Sequence, residues 1–219
     1  MKPIRELDRI VSPFPKPQAF AVDGGTFWIS SRATRKLYAV DRKTWRPTWE
    51  TAAADGQTVW GATVTGGVVH VVCGLDADGV DARTIRRVVP GQGFDAASSV
   101  PCPDGMGSHL SHDGQSLILS QWYPRKLIAI GADGKPGRVI QTPNQIVGHC
   151  FARGSFWLAS TTDEESPADY FLERCDPASG RCEMLARIGF SARALAFDGA
   201  DFWTNHRDAD RIVRFAPPA

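Results

Sequence analysis

The chain has 219 residues, of which 42% are hydrophobic and 22% charged, with a formal net charge of +1. It is long enough to bury a sizeable core as one domain or two small ones, and the near-zero charge removes the electrostatic case for a nucleic-acid or anionic-membrane partner. No stretch approaches a transmembrane span, and the opening MKPIRELDRIVSPFPKP has no apolar run of signal-peptide length, so the expected setting is cytoplasmic, the expected state monomeric, and the expected partner a small molecule or another protein.

In chain order, Ile4 to Val11 reads as a strand, and Pro13, Pro15 and Pro17 then enforce an extended linker. The stretch from Gln18 to Asp41, QAFAVDGGTFWISSRATRKLYAVD, predicts three short strands with a hairpin at Asp23-Gly24, and a fourth strand follows over 45–51. A second set begins at Trp60-Gly61, turns at Gly66-Gly67 and runs to Pro101. A third begins at Ser108-His109, turns at Asp113-Gly114 and ends near Gln141. A fourth begins at Gly148-His149, turns at Arg153-Gly154, carries a long acidic loop with Asp163, Glu164 and Glu165, and ends at Ile188. A fifth begins at Arg193, turns at Asp198-Gly199 and stops at Phe215, one strand short.

Taking Gln18, Trp60, Ser108, Gly148 and Arg193 as equivalent, the intervals are 42, 48, 40 and 45 residues. Four antiparallel strands per repeat of this length are the signature of a β-propeller blade. The fold class is therefore all-β, a five-bladed propeller forming one domain over 1–219. Its blades fall at 18–51, 58–101, 107–141, 147–188 and 192–217, and the strand at 4–11 completes the last blade so that no edge is left unpaired. A helical fold is not expected: alternation dominates, Gly totals 21 and Pro 15.

The five cysteines are an odd count that fits reduced thiols. Cys175 and Cys182 flank a turn and could face each other across a hairpin, so a disulfide there stays open.

Phrases such as AFAVDGGTFWIS with LYAVD, and LAFDGADFWTN with IVRF, resemble the repeats of NHL, SMP-30/gluconolactonase and glutamine-cyclotransferase-like propellers. The resemblance covers nearly the whole chain and speaks to fold more than to activity. In SMP-30-like proteins a Glu, two Asn and an Asp hold a divalent cation. Here Gln18 stands where that Glu belongs, Ala19-Phe20 replaces Gly-Pro, and Ser31 or His206 stands where an Asp is expected, so calcium-dependent lactonase chemistry is not implied. Pro17-Gln18-Ala19-Phe20 resembles the Thr-Gln-Gly-Leu of the cyclotransferases, but Trp60 fills the position of their channel Glu.

Residues that open inner strands, or that end second strands, are expected at one mouth of the central channel. The ligand-binding candidates are Gln18, Trp60, Ser108, Gln121, Trp122 and Arg193: two tryptophans that break the repeat as platforms, and an arginine suited to a carboxylate or phosphate. His109, His149 and His206 fall on three successive blades and are candidates both for proton transfer and for a divalent metal, since three neutral imidazoles leave a position open for water. Trp28, Trp157 and Trp203 occupy equivalent second-strand positions and read as blade packing. His70 and His112 read as packing or surface residues. No carboxylate pair suits a glycosidase, and no Gly-x-Ser-x-Gly is present. Two readings follow: a binding propeller with its site at the channel mouth, and a channel-site enzyme of the lyase, lactonase or cyclotransferase type.

Overall fold

The computed structural model describes residues 1–53, 56–77, 82–162 and 169–218. The acidic loop residues Asp163, Glu164 and Glu165 lie outside them. Strand β1 (Glu6–Val11) precedes five antiparallel sets. Blade 1 is β2 (Pro17–Asp23), β3 (Thr26–Ser31), β4 (Lys36–Asp41) and β5 (Pro47–Ala52). Blade 2 is β6 (Thr58–Thr65), β7 (Val68–Gly74), β8 (Thr84–Val89) and β9 (Gly93–Pro101). Blade 3 is β10 (His109–His112), β11 (Leu117–Gln121), β12 (Lys126–Ile130) and β13 (Pro136–Gln141). Blade 4 is β14 (Gln145–Ala152), β15 (Ser155–Thr161), β16 (Tyr170–Cys175) and β17 (Cys182–Ile188). Blade 5 is β18 (Ala192–Phe197), β19 (Phe202–His206) and β20 (Arg211–Phe215), with β1 as its outermost strand. The inner strands lie against one another in the order β2, β6, β10, β14, β18 and back to β2, which closes the ring.

Closure follows from the one missing strand. β1 pairs with β20, Ile10 opposite Ile212 and Arg9 opposite Val213. Ser12 N–H donates to the Asp210 carbonyl at 2.9 Å, and Lys16 N–H donates to Asp210 Oδ1 at 2.7 Å. The chain start is also tied to blade 4, where Ile4 N–H donates to the Arg187 carbonyl at 2.9 Å. The last blade's outer edge is thereby covered rather than left as an unpaired ladder.

Between blades the packing repeats. The second-strand Trp of one blade meets the second-strand Phe of the next: Trp157 with Phe202 at 4.8 Å between ring centroids and Trp203 with Phe27 at 4.9 Å. Trp28, Trp157 and Trp203 are all buried, as the repeat pattern predicts. Blades 2 and 3 carry His70 and Ile118 at that position. Cavities of about 510 Å³ at His70 and about 40 Å³ at Ile118 lie where the larger ring is missing.

At the axis the constraint is tighter. A Cβ on Gly61 would sit 2.4 Å from the His109 Cα of the next blade, and one on Gly148 would sit 2.2 Å from the Ala194 carbonyl carbon. Both glycines are there because backbone meets backbone. Four of the five inner strands also shift register near their start: β2 between Pro17 and Phe20, β6 between Val59 and Gly61, β14 between Ile146 and Gly148, β18 between Arg193 and Ala196. Polar second-strand residues fasten these irregular starts. Ser30 Oγ accepts from Ala19 N–H at 2.8 Å and donates to the Val59 carbonyl of the next blade at 2.7 Å. Asn205 donates to the Gln18 carbonyl at 3.1 Å, joining blade 5 to blade 1.

Cys175 and Cys182 are bonded as a disulfide, while Cys73, Cys102 and Cys150 are free and buried. The expectation of reduced thiols therefore holds for three of the five, and the open question at the hairpin resolves to a bond. Among the described residues no helix is long and apolar enough to cross a membrane.

Gly148→Ala and Gly61→Ala are expected to cost about 1–3 kcal/mol each through overpacking, whereas Gly189→Ala, which meets nothing within 4 Å, leaves the urea midpoint unchanged. Equal midpoints for all three variants would contradict the axial contact.

Candidate functional site

The inner strands all begin at one end of the ring, and a circuit of side chains runs around that mouth. Arg207 Nη1 donates to Gln18 Oε1 at 2.9 Å, and Gln18 Nε2 reaches the Trp60 carbonyl at 3.5 Å. Trp60 Nε1 donates to the Gly74 carbonyl at 3.2 Å. Two guanidiniums lie over the Trp60 ring, Arg83 at 4.3 Å and Arg32 at 5.6 Å. Arg32 in turn pairs with Asp76 at 2.7 Å, and Arg83 donates to the Gly107 carbonyl.

Across the mouth, Arg193 lies 5.2 Å from the Trp122 ring and donates to Tyr170 Oη at 3.2 Å. Tyr170 Oη is 3.2 Å from Ser191 Oγ, which donates to Asp208 at 3.5 Å, and Asp208 returns to Arg207 at 3.6 Å. Four of the six ligand candidates, Gln18, Trp60, Trp122 and Arg193, thus belong to one belt. The register shifts contribute to it: β2 and β6 bulge where Gln18 and Trp60 stand, and β18 shifts just after Arg193, which still pairs with Asn205.

The other two are absorbed by the scaffold. Gln121 is fully buried, and its amide donates to the Pro103 and Met106 carbonyls at 2.7 and 3.2 Å, pinning the turn before β10. Ser108 acts through its backbone, donating to the Ser120 carbonyl at 2.7 Å.

The three histidines do not converge. His206 lies at the rim beneath the closing strand, its Nδ1 3.1 Å from Arg9 Nη1 and its ring stacked on Phe190 at 4.9 Å. Among the described residues, the side chains close enough to share a metal do not include these histidines. His109 and His149 do meet inside the channel, edge to face at 5.3 Å. Both are buried, and the Ser111 hydroxyl lies 2.9 Å from His149 Nδ1. Both ring nitrogens of His109 and Nε2 of His149 have no protein partner. Burial pushes His109 down to about 4 and His149 well below its ordinary value, the latter helped by His109. Both are therefore neutral near pH 7. A cavity of about 200 Å³ reaches Ser111 and His149 from the opposite end of the channel, between the inner-strand tips at Val22, Val64, His112, Phe151 and Phe197.

The residues that sequence reasoning passed over line the larger cleft between blades 2 and 3. His70 and His112 face it together with Arg86, Arg87, Ser98 and Ser116. Burial, then Arg87 and His112, lower the His70 pKa. The signal was present: a blade-interface tryptophan had been replaced by a smaller polar ring.

No family profile and no curated protein matches the chain. Solved structures do. The chain is similar to a glutaminyl cyclase from Myxococcus xanthus, with a TM-score of 0.71 at 12% identity over 97% of each chain. It is similar to the calcium-binding protein regucalcin from Agrobacterium tumefaciens, with a TM-score of 0.60 at 12% identity over 98% of this chain and 95% of the other. It is also similar to virginiamycin B lyase from Staphylococcus aureus, with a TM-score of 0.53 at 12% identity over 96% and 98%. At such identity these likenesses establish the fold alone.

The buried pair has a thermodynamic consequence. A histidine that titrates at 6.5 when unfolded and about 4 when folded leaves the unfolded state holding more protons in that interval. Stability is then full above pH 6.5 and falls as pH drops toward 4, by about 1.4 kcal/mol per pH unit for each such group. Urea midpoints measured across this range should decline steeply, and His109→Gln should flatten the slope. An unchanged slope would show that His109 is not buried neutral.

Proposed function

We propose that residues 1–219 act as one monomeric propeller domain that binds a small anionic molecule, a carboxylate or phosphate, at the channel mouth. The observation that carries the reading is the belt itself: Arg83 and Arg32 over the Trp60 ring, and Arg193 over Trp122, at the end of the ring where the inner strands begin. Guanidiniums lying over indole rings, and already engaged by Asp76, the Gly107 carbonyl and Tyr170, form a positively charged, positioned set that an oxyanion could join or compete for. The tryptophan faces add an apolar platform for the rest of the ligand. The side chains come from four blades, so the site belongs to the ring as a whole.

A second reading, a channel-site enzyme, is favoured by the Ser111–His149 contact at 2.9 Å. A neutral imidazole at the floor of a cavity can take and return a proton, which cyclisation of a glutaminyl amine or opening of a lactone requires. On this reading His149 is the proton-transfer group, and the three-histidine metal of the sequence reading plays no part.

Calorimetric titration with inorganic phosphate and a panel of mono- and dicarboxylates tests the first reading. Binding is expected in wild type and should weaken at least tenfold in Arg193→Gln and Trp122→Ala, with circular dichroism confirming the fold. A wild-type protein that takes none of these anions sinks it. For the second reading, lactones and peptides with N-terminal glutamine are the substrates to assay, and His149→Gln should lower turnover about 100-fold or more. Absent turnover in wild type, or turnover untouched by the variant, removes the enzyme.

A further inference from the structure

Away from the channel, strands β16 and β17 carry a two-by-two patch of ligand-bearing side chains on one face. Glu173 and Cys175 alternate along β16. Their register partners on β17 are Met184 and Cys182, so a carboxylate, two sulfurs of cysteine and a thioether occupy the four corners. Arg174 and Glu183, paired with each other on the opposite face at 3.0 Å, confirm the alternation. The carboxylate oxygen and the two Sγ atoms all lie within 4.8 Å of one another.

Glu173 is the unexplained member. It is 0% exposed, in a strand flanked by a strand on either side. Its Oε1 accepts from Asn144 Nδ2 at 2.7 Å and from the Ser160 hydroxyl, while Oε2 has no partner. A buried carboxylate oxygen without a donor costs several kcal/mol, and packing alone does not call for it: the surrounding cluster is Ile140, Ile146, Phe156 and Leu158.

We propose that this patch is a redox-gated binding site for a thiophilic divalent cation of the zinc class, held by Cys175, Cys182 and Glu173. With the disulfide formed the sulfurs are poor ligands and the site is shut. Reduction by a cellular dithiol transfers two electrons and two protons to the bond: the Cys175–Cys182 bond breaks, two thiols form, and the dithiol leaves as its own disulfide. Cys182 is only partly buried, which gives the attacking thiolate a route in. Metal binding then displaces the two thiol protons and gives Glu173 Oε2 a partner. Tetrahedral zinc places its ligand atoms about 3.5 Å apart, so once the bond is reduced the two sulfurs must separate from bonding distance to that spacing, with the Glu173 oxygen already within 4.8 Å of them. Met184, 47% exposed, opposite Glu173 in register and 3.8 Å from Asn144 through its sulfur, is the neighbouring side chain that could complete the set. Asn144 and Ser160 orient the carboxylate from behind, as outer ligands do. The remaining cysteines do not compete: burial pushes Cys73 and Cys102 up to about 12 and Cys150 higher still, so they stay protonated.

Cadmium serves as the probe, read by its ultraviolet thiolate charge-transfer band. The folded protein is titrated before and after treatment with a dithiol, followed by removal of the reductant. The reduced protein is expected to take one equivalent and the oxidised protein none. Cys182→Ser should abolish the band, and Glu173→Gln, which keeps both thiols, should weaken binding at least tenfold. Bound metal should also slow re-formation of the disulfide by oxidant. The proposal fails if the disulfide resists the dithiol while the chain stays folded. It fails equally if the reduced protein shows no band, or if Cys182→Ser binds as wild type does through the other cysteines.

Discussion

Everything in this molecule depends on how closely five strand edges approach one axis. Five blades leave so little room that backbone packs on backbone at Gly61 and Gly148, with Ala19 and Ala194 fully buried beside them. Strands forced together in this way cannot stay regular at the mouth, and four of them shift register there. Ser30 and Asn205 then hold the disturbed backbone by bonding across blades. The mouth is thus built from the same crowding that closes the ring: the shifts fall at Gln18 and Trp60 and directly after Arg193, the inner-strand residues of the shared belt.

Farther from the axis the blades diverge, and larger side chains take over. Trp157 on Phe202 and Trp203 on Phe27 fill the widening gap, and where the tryptophan is missing the gap stays open beside His70. Small residues at the centre and aromatic pairs midway out are two answers to one wedge-shaped geometry.

That wedge explains what could be read from the sequence. Blade number and strand order were legible because the four-strand unit recurs five times, the role of the Phe-Trp pairs because they recur in three blades at the same position, and the missing last strand pointed to β1. The mouth was partly legible: Trp60 and Arg193 break the repeat and belong to the belt. The partners of Gln121 and His206 were not legible, because counting along a strand gives position but not partner. The Gln121 amide is consumed by two carbonyls of a turn that has no counterpart in other blades, and His206 by an arginine from the far end of the chain. Glu173 was invisible for a different reason. In a strand covered on both faces, a charged residue between Leu172 and Arg174 looks like ordinary alternation toward solvent.

Breaks in a repeat are informative because the repeat states what packing alone requires. A blade can be built with Phe, Trp, Ala and Val at these sites, as blade 1 shows. Placing His109 and His149 side by side with three nitrogens lacking protein partners, and Glu173 with an unpaired oxygen under a hydrophobic cluster, lowers stability by about 1–3 kcal/mol for each such group. Polar atoms without partners occur on blades 1 and 5 too, at Trp28 Nε1, Asn205 Oδ1 and Arg214 Nε, but the buried imidazole pair and the buried carboxylate with its unpaired oxygen do not recur there. The histidines lie on blades 3 and 4, Glu173 on blade 4, and the open cleft between blades 2 and 3, while blades 1 and 5 keep the plain pattern and carry the closing strand. One side of the propeller holds the ring shut. The other departs from the repeat, and its departures include two imidazoles, a carboxylate and thiols. The plain blades supply closure, and the departures on blades 2 to 4 are the positions where packing alone does not account for the residue present.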